Sequence, residues 1–209
     1  MDRRKLVRSK MPTCQICDSR KPKRYCTSRG ENICTQCCAT EREVSINCPF
    51  ECVYLQESRA HAKLALDAST MPHRDVQIDE RFLQHADVTL ILFSAFFSRA
   101  AMPIPNATDA EMRVAIEAVI NRFKGNPAPP EEAIALKIYD AFCAEYDKFR
   151  AEITKDQKAE SVFSDETFIR VLVFIARVAH GHNNGRPLCR SFLHYLRATL
   201  PPNIEASVA

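Results

Sequence analysis

"ICTQCCATEREVSINCPFEC", residues 33–52, carries five cysteines in twenty positions. Three more stand just upstream, at Cys14, Cys17 and Cys26. Thiols this close together serve as disulfides, as redox groups or as metal ligands, and spacing separates these uses. Cys14 and Cys17 form one C-x2-C pair, Cys34 and Cys37 a second, and Cys48 and Cys52 a C-x3-C, with Cys26 and Cys38 between them. A short spacer lets two thiolates on one tight turn converge on a single ion, and a closed structural zinc site takes four ligands. Eight thiols therefore fill two sites with none left over. No histidine lies within residues 13–56, which speaks against the open coordination position of a catalytic zinc.

Adjacent Cys37 and Cys38 suggest how the ligands divide. Neighbouring side chains point in different directions, about 100° apart where a helix starts, so the two serve different ions. Knuckle joined to knuckle gives a first site of Cys14, Cys17, Cys34 and Cys37. The second site is then Cys26, Cys38, Cys48 and Cys52. Each Zn2+ would tie together residues far apart in sequence, which is how some forty residues fold with almost no apolar core. Structural zinc contributes on the order of 10–16 kcal/mol in isolated fingers.

The string "CQICDSRKPKRYC…ICTQCC", C-x2-C-x8-C-x7-C-x2-C over Cys14 to Cys37, resembles a B-box zinc finger and, more loosely, the HIT and MYND fingers. A B-box has an Asp or Cys ligand soon after its third ligand, where this chain has Thr27, Ser28 and Arg29. Its last ligands are His, whereas Cys48 and Cys52 stand there in this chain. The fuller pattern "YC…ICTQCC…REV…CPFECVYL" also resembles the N-terminus of uncharacterised bacterial proteins. The B-box and HIT likeness implies a treble-clef-like protein-interaction or assembly module without catalysis.

The remainder reads as helix. The chain has 209 residues, 46% of them hydrophobic, but only four glycines and no tryptophan. Few glycines leave little room for phosphate-cradling loops or hairpins. We expect a mainly α protein in three parts: a basic, flexible N-terminus (1–12), a two-zinc cysteine-rich module (13–56) and an α-helical bundle (57–209). Asp79 is placed to cap a helix through "ERFLQHADVTLILFSAFFSR". Thr108 and Glu111 form a capping box ahead of Met112, Ala115, Ile116, Val119, Ile120 and Phe123 at helical spacing. "GNPAPP" stops that helix. A long helix follows from Glu131 to Lys158, with Ile134, Ile138, Phe142, Tyr146 and Phe149 on one side. Ser164 caps the next, with Asp165 and Glu166 in its first turn. Pro187 suits the first position of a last helix through "LCRSFLHYLRATL". Cys143 and Cys189 read as small core residues, and the "LILFSAFF" stripe as bundle core.

Charge is uneven. Residues 1–30 hold ten Lys/Arg against two Asp/Glu, 10 − 2 = +8, and the rest holds 19 − 24 = −5. The runs Arg3 to Lys10 and Arg20 to Arg24 suit phosphate contact, with Arg20, Lys21, Lys23 and Arg24 as candidate nucleic-acid or anion contacts. The metal offers a plainer account. Residues 1–52 hold eleven basic and six acidic residues, 11 − 6 = +5. Two zinc–tetrathiolate centres add −4, so the basic excess neutralises them.

The N-terminus lacks the apolar stretch of a secretory signal. The longest apolar run, Val88 to Phe97, is about half a ~20-residue bilayer span. A cytoplasmic, reducing compartment is expected, where stable disulfides are rare. No nucleotide loop, H-E-x-x-H pair or nucleophile elbow is present, and no enzyme activity is expected. The leading expectation is a protein–protein interaction or regulatory adaptor with structural zinc. The alternatives are a nucleic-acid-binding regulator and a thiol/zinc redox sensor, whose zinc-free thiolates near Lys and Arg would be reactive.

Overall fold

A computed structural model describes residues 12–62, 69–154 and 164–200. The chain divides into two units, Met1–His61 and Ala62–Ala209.

In the first unit, β1 (Arg24–Cys26) pairs antiparallel with β2 (Glu31–Ile33), Tyr25 opposite Asn32. The turn between them closes where the Gly30 N–H donates to the Cys26 carbonyl at 2.8 Å. Gly30 sits at φ +68, a conformation glycine adopts without a Cβ penalty. Then come α1 (Thr35–Glu41) and α2 (Val53–Ala60). The unit runs to His61 because α2 contributes Leu55 and Tyr54 to the cysteine-lined core, while Arg59 grips the buried Glu43 carboxylate at 2.6 Å. Apart from cysteine, that core holds only Ile33, Ile46 and Leu55, with Ile16 and Tyr54 at its margin. So small an apolar set cannot order a unit of this length by itself.

The second unit is helical: α3 (Glu80–His85), α4 (Asp87–Ala101), α5 (Asp109–Phe123), α6 (Ala133–Ile153), α7 (Asp165–Gly181) and α8 (Ser191–Thr199). The chain is thus mainly α, with one small two-stranded sheet among the described residues. The local start signals act as read. The Asp79 carboxylate accepts the Phe82 N–H at 2.7 Å, Thr108 and Glu111 form the capping box, and Ser164 accepts the Thr167 N–H at 3.2 Å. Helices α5 and α4 each pack on both α6 and α7, and α8 lies against α4 and α5. Phe93 stands at the centre, its ring 5.1–6.4 Å from those of Phe96, Phe123, Phe142, Tyr146 and Phe168. Cys143 and Cys189 are buried. None of the described helices is long and apolar enough to cross a membrane.

Three boundaries differ from expectation. The helix expected from Asp79 through Arg99 is two helices, broken at Ala86 (φ −102, ψ 10), which is buried and ends α3 with its N–H on the Phe82 carbonyl. Asp87 then opens α4, its carboxylate accepting the Val88 N–H. The long helix starts at Ala133, since Glu132 is extended; its expected stretch 155–158 lies outside the described residues, as does the basic run Arg3 to Lys10. The last helix starts at Ser191, and Pro187 belongs to the turn before it. The Asp109 carboxylate, arriving from α5, accepts the N–H groups of Phe192 (2.9 Å) and Leu193 (3.1 Å) and so fixes where α8 begins.

Candidate metal centre

The sulfurs of Cys14, Cys17, Cys34 and Cys37 all lie within 4.8 Å of one another. Two local structures bring them together. The first pair sits on a tight turn, where the Asp18 N–H donates to the Cys14 carbonyl at 2.8 Å and Asp18 takes φ +50, which Asp tolerates better than most residues. The Gln15 N–H donates to the Asn32 carbonyl at 3.2 Å and ties this turn to β2. The second pair occupies the start of α1, with Cys34 as N-cap and Cys37 in the first turn.

Hydrogen-bond donors face the sulfurs. The Cys34 N–H donates to Cys14 Sγ at 3.1 Å, the Cys37 N–H to Cys34 Sγ at 3.3 Å, and the Ser19 hydroxyl to Cys17 Sγ at 3.4 Å. Such donors stabilise thiolates. The Ser19 hydroxyl, helped by the N–H groups of Ser19 and Arg20, holds Cys17 down at about 5. The Cys37 N–H lowers Cys34. Burial, reinforced by Cys34 and Cys17, pushes Cys37 up to about 12. Cys37 thus resists ionising beside Cys34 and Cys17 unless a cation joins them. An ion with metal–sulfur bonds of about 2.3 Å holds its ligands about 3.8 Å apart, within the observed span, so the donor set fits one metal ion.

The other four cysteines stand differently. Cys38 and Cys48 are buried, with Cys26 and Cys52 packed against the same core. Among the described residues, no second group of three or more ligand atoms reaches the spacing of the first. Cys38 Sγ instead accepts from the Arg24 guanidinium at 3.3 Å, with Arg42 Nη2 at 3.9 Å. Burial raises the Cys48 thiol, against a lowering by the Glu43 backbone N–H, and the nearby charges of Cys52, the Glu43 carboxylate and Cys26 add to the rise.

The candidate anion contacts divide in two. The Arg20 guanidinium is held against Cys34 and Cys17, and the charged sulfurs raise its already high pKa. Arg24 bonds Cys38 and stacks 4.3 Å above the Tyr54 ring centroid. Both therefore face sulfur, which is the neutralising role that the charge count anticipates. Lys21 and Lys23 are exposed, as is Arg20, and neither lysine bonds a sulfur among the described residues. Sequence reading missed Ser19 as a thiolate donor; its signal was a hydroxyl residue two positions after a knuckle cysteine, where side chains of this kind commonly bond the turn.

Comparison of the chain with family models, with curated proteins and with solved structures found no match.

Proposed function

We propose that the N-terminal unit is a structural zinc module that serves protein–protein interaction, as a regulator or assembly adaptor, and that the protein works in the cytoplasm without catalysing a reaction. The observation that carries this reading is the closed all-sulfur donor set of Cys14, Cys17, Cys34 and Cys37, supported by three hydrogen-bond donors. Four thiolates match zinc among the common divalent ions and leave no coordination position for substrate. The order of knuckle, hairpin and helix N-terminus supports a treble-clef-type module of the B-box and HIT kind. A second zinc would use Cys26, Cys38, Cys48 and Cys52, with Cys38 turning from Arg24 toward the ion. The nucleic-acid reading is the weaker one, because Arg24 bonds Cys38 and Arg20 is drawn toward Cys34 and Cys17, which leaves Lys21 and Lys23 as the candidate contacts not engaged with sulfur among the described residues.

Native mass spectrometry of the reduced full chain, followed by affinity capture with and without chelator, tests the reading. Two zinc ions and a protein partner lost on chelation are expected. One ion would confine the site to the first four cysteines. No retained metal in the folded chain would refute the zinc reading. Zinc-bound chain that captures short nucleic acid but no protein would overturn the adaptor role.

A further inference from the structure

Helix α5 carries five charged side chains, and four are accounted for. Asp109 caps α8, Glu111 closes the capping box, Glu117 meets His73, and Arg122 pairs with Asp147 at 2.9 Å. Arg113 has no hydrogen bond or ion pair among the described residues, and its Nη1 is buried. Two carboxylates of the same helix stand four residues from Arg113, the spacing at which such pairs ordinarily form: Asp109, which is committed to the α8 N–H groups, and Glu117. Glu117 is diverted: His73 Nε2 lies 2.8 Å from its Oε2 and 3.1 Å from its Oε1. His73 is held there at φ +51, an uncommon conformation for a residue of this size. The Arg177 guanidinium fixes it by donating to the carbonyls of Pro72, His73 and Val76 at 3.2, 2.6 and 2.8 Å. The fold thus engages both helix-spaced partners of a partly buried guanidinium elsewhere.

Arg113 lines an open cavity of about 550 Å3. Its wall is largely apolar, from Val114, Ala118, Pro130 and Ala176, with Asn121 and His180 as further polar groups. An apolar cleft with a few convergent polar groups is the usual form of a small-molecule site, and a guanidinium matches a planar carboxylate with two parallel hydrogen bonds. The Glu117 carboxylate on the same wall repels a second negative charge and so disfavours a phosphate dianion.

We propose that this cavity binds a small organic carboxylate, with Arg113 pairing with the carboxylate group and Val114, Ala118, Pro130 and Ala176 packing on its apolar body. The test is an amide NMR titration of the full chain with sodium butyrate and with sodium benzoate, against inorganic phosphate and butylammonium chloride at matched ionic strength. At least one carboxylate should give saturable shifts at the α5 and α7 amides around the cavity, with phosphate at least tenfold weaker and butylammonium silent. Arg113→Gln should weaken the carboxylate at least tenfold. Should that variant fail to fold, Val114→Trp, which fills the cavity at an exposed position, should abolish the shifts instead. Shifts that never saturate, that map elsewhere or that survive these substitutions would overturn the site. Phosphate binding tighter than either carboxylate would overturn the ligand class.

Discussion

Asp109 should be the most costly polar side chain to remove from the helical unit. It is fully buried and lies at the start of α5. Its carboxylate accepts the first N–H groups of α8, from Phe192 and Leu193, and the Cys189 thiol at 3.3 Å. Its own N–H donates to the Cys189 carbonyl at 2.8 Å. Asp109→Ala deletes a helix cap, worth about 0.5–2 kcal/mol. It also leaves two backbone donors unsatisfied, at about 1–3 kcal/mol for each that water cannot reach. Together these give a loss of about 2.5–8 kcal/mol, a melting-point drop on the order of 10–20 °C for a unit of this length. Urea and thermal unfolding followed by circular dichroism measure it. A loss below about 1 kcal/mol would refute the capping role. The pH dependence supplies a second check. Burial raises the Asp109 carboxyl, outweighing the N–H donors of Phe192 and Leu193 that lower it. A carboxyl raised on folding holds its proton more tightly in the native state. Its stabilising contribution is therefore fully present below the unfolded value near 3.9 and is lost as pH rises through the folded value. Asp109→Asn does not titrate, so the stability gap between wild type and this variant should narrow as pH rises through that window. A gap that widens would mean that helix capping outweighs burial.

Phe93→Ala opens the meeting point of four helices and should cost about 3–5 kcal/mol, read as a fall in the urea midpoint; a cost under about 2 kcal/mol would mean that the ring cluster is not the core. Thr108→Ala should cost about 0.5–2 kcal/mol through loss of the α5 cap, with Glu111→Ala producing less than an additive loss in the double variant because the two share one box. Cys34→Ser, like chelation, should collapse amide protection across residues 12–61 while leaving that of α4 to α8 unchanged, since the first unit has little core beyond its cysteines; hydrogen exchange distinguishes the two, and unchanged protection of the first unit would show that it folds without metal.

The features legible in the sequence are those with short-range causes. The C-x2-C pairs announce the first foursome because each spacer builds one tight turn whatever surrounds it. The caps at Asp79, Thr108 and Ser164 are legible because each bonds an N–H three residues away. The inward positions Met112, Ala115 and Ile116 follow from helical period alone and are buried. The division of the remaining cysteines was less legible. That Cys37 and Cys38 point apart is local geometry, but where Cys38 points depends on Arg24, which arrives from β1.

The sequence by itself therefore determined the helical class, the helix starts at Asp79, Thr108 and Ser164, and a cluster of four sulfurs placed to hold one metal ion, because these depend on contacts between residues a few positions apart. Only the tertiary structure decided the rest. The break at Ala86, the start of α8 under a carboxylate from α5, the pairing of Arg20 and Arg24 with sulfur, and the isolation of Arg113 all turn on partners brought close by folding. A side chain reveals its type and spacing in sequence, but burial and partnership, which set its energy, exist only once distant segments have packed.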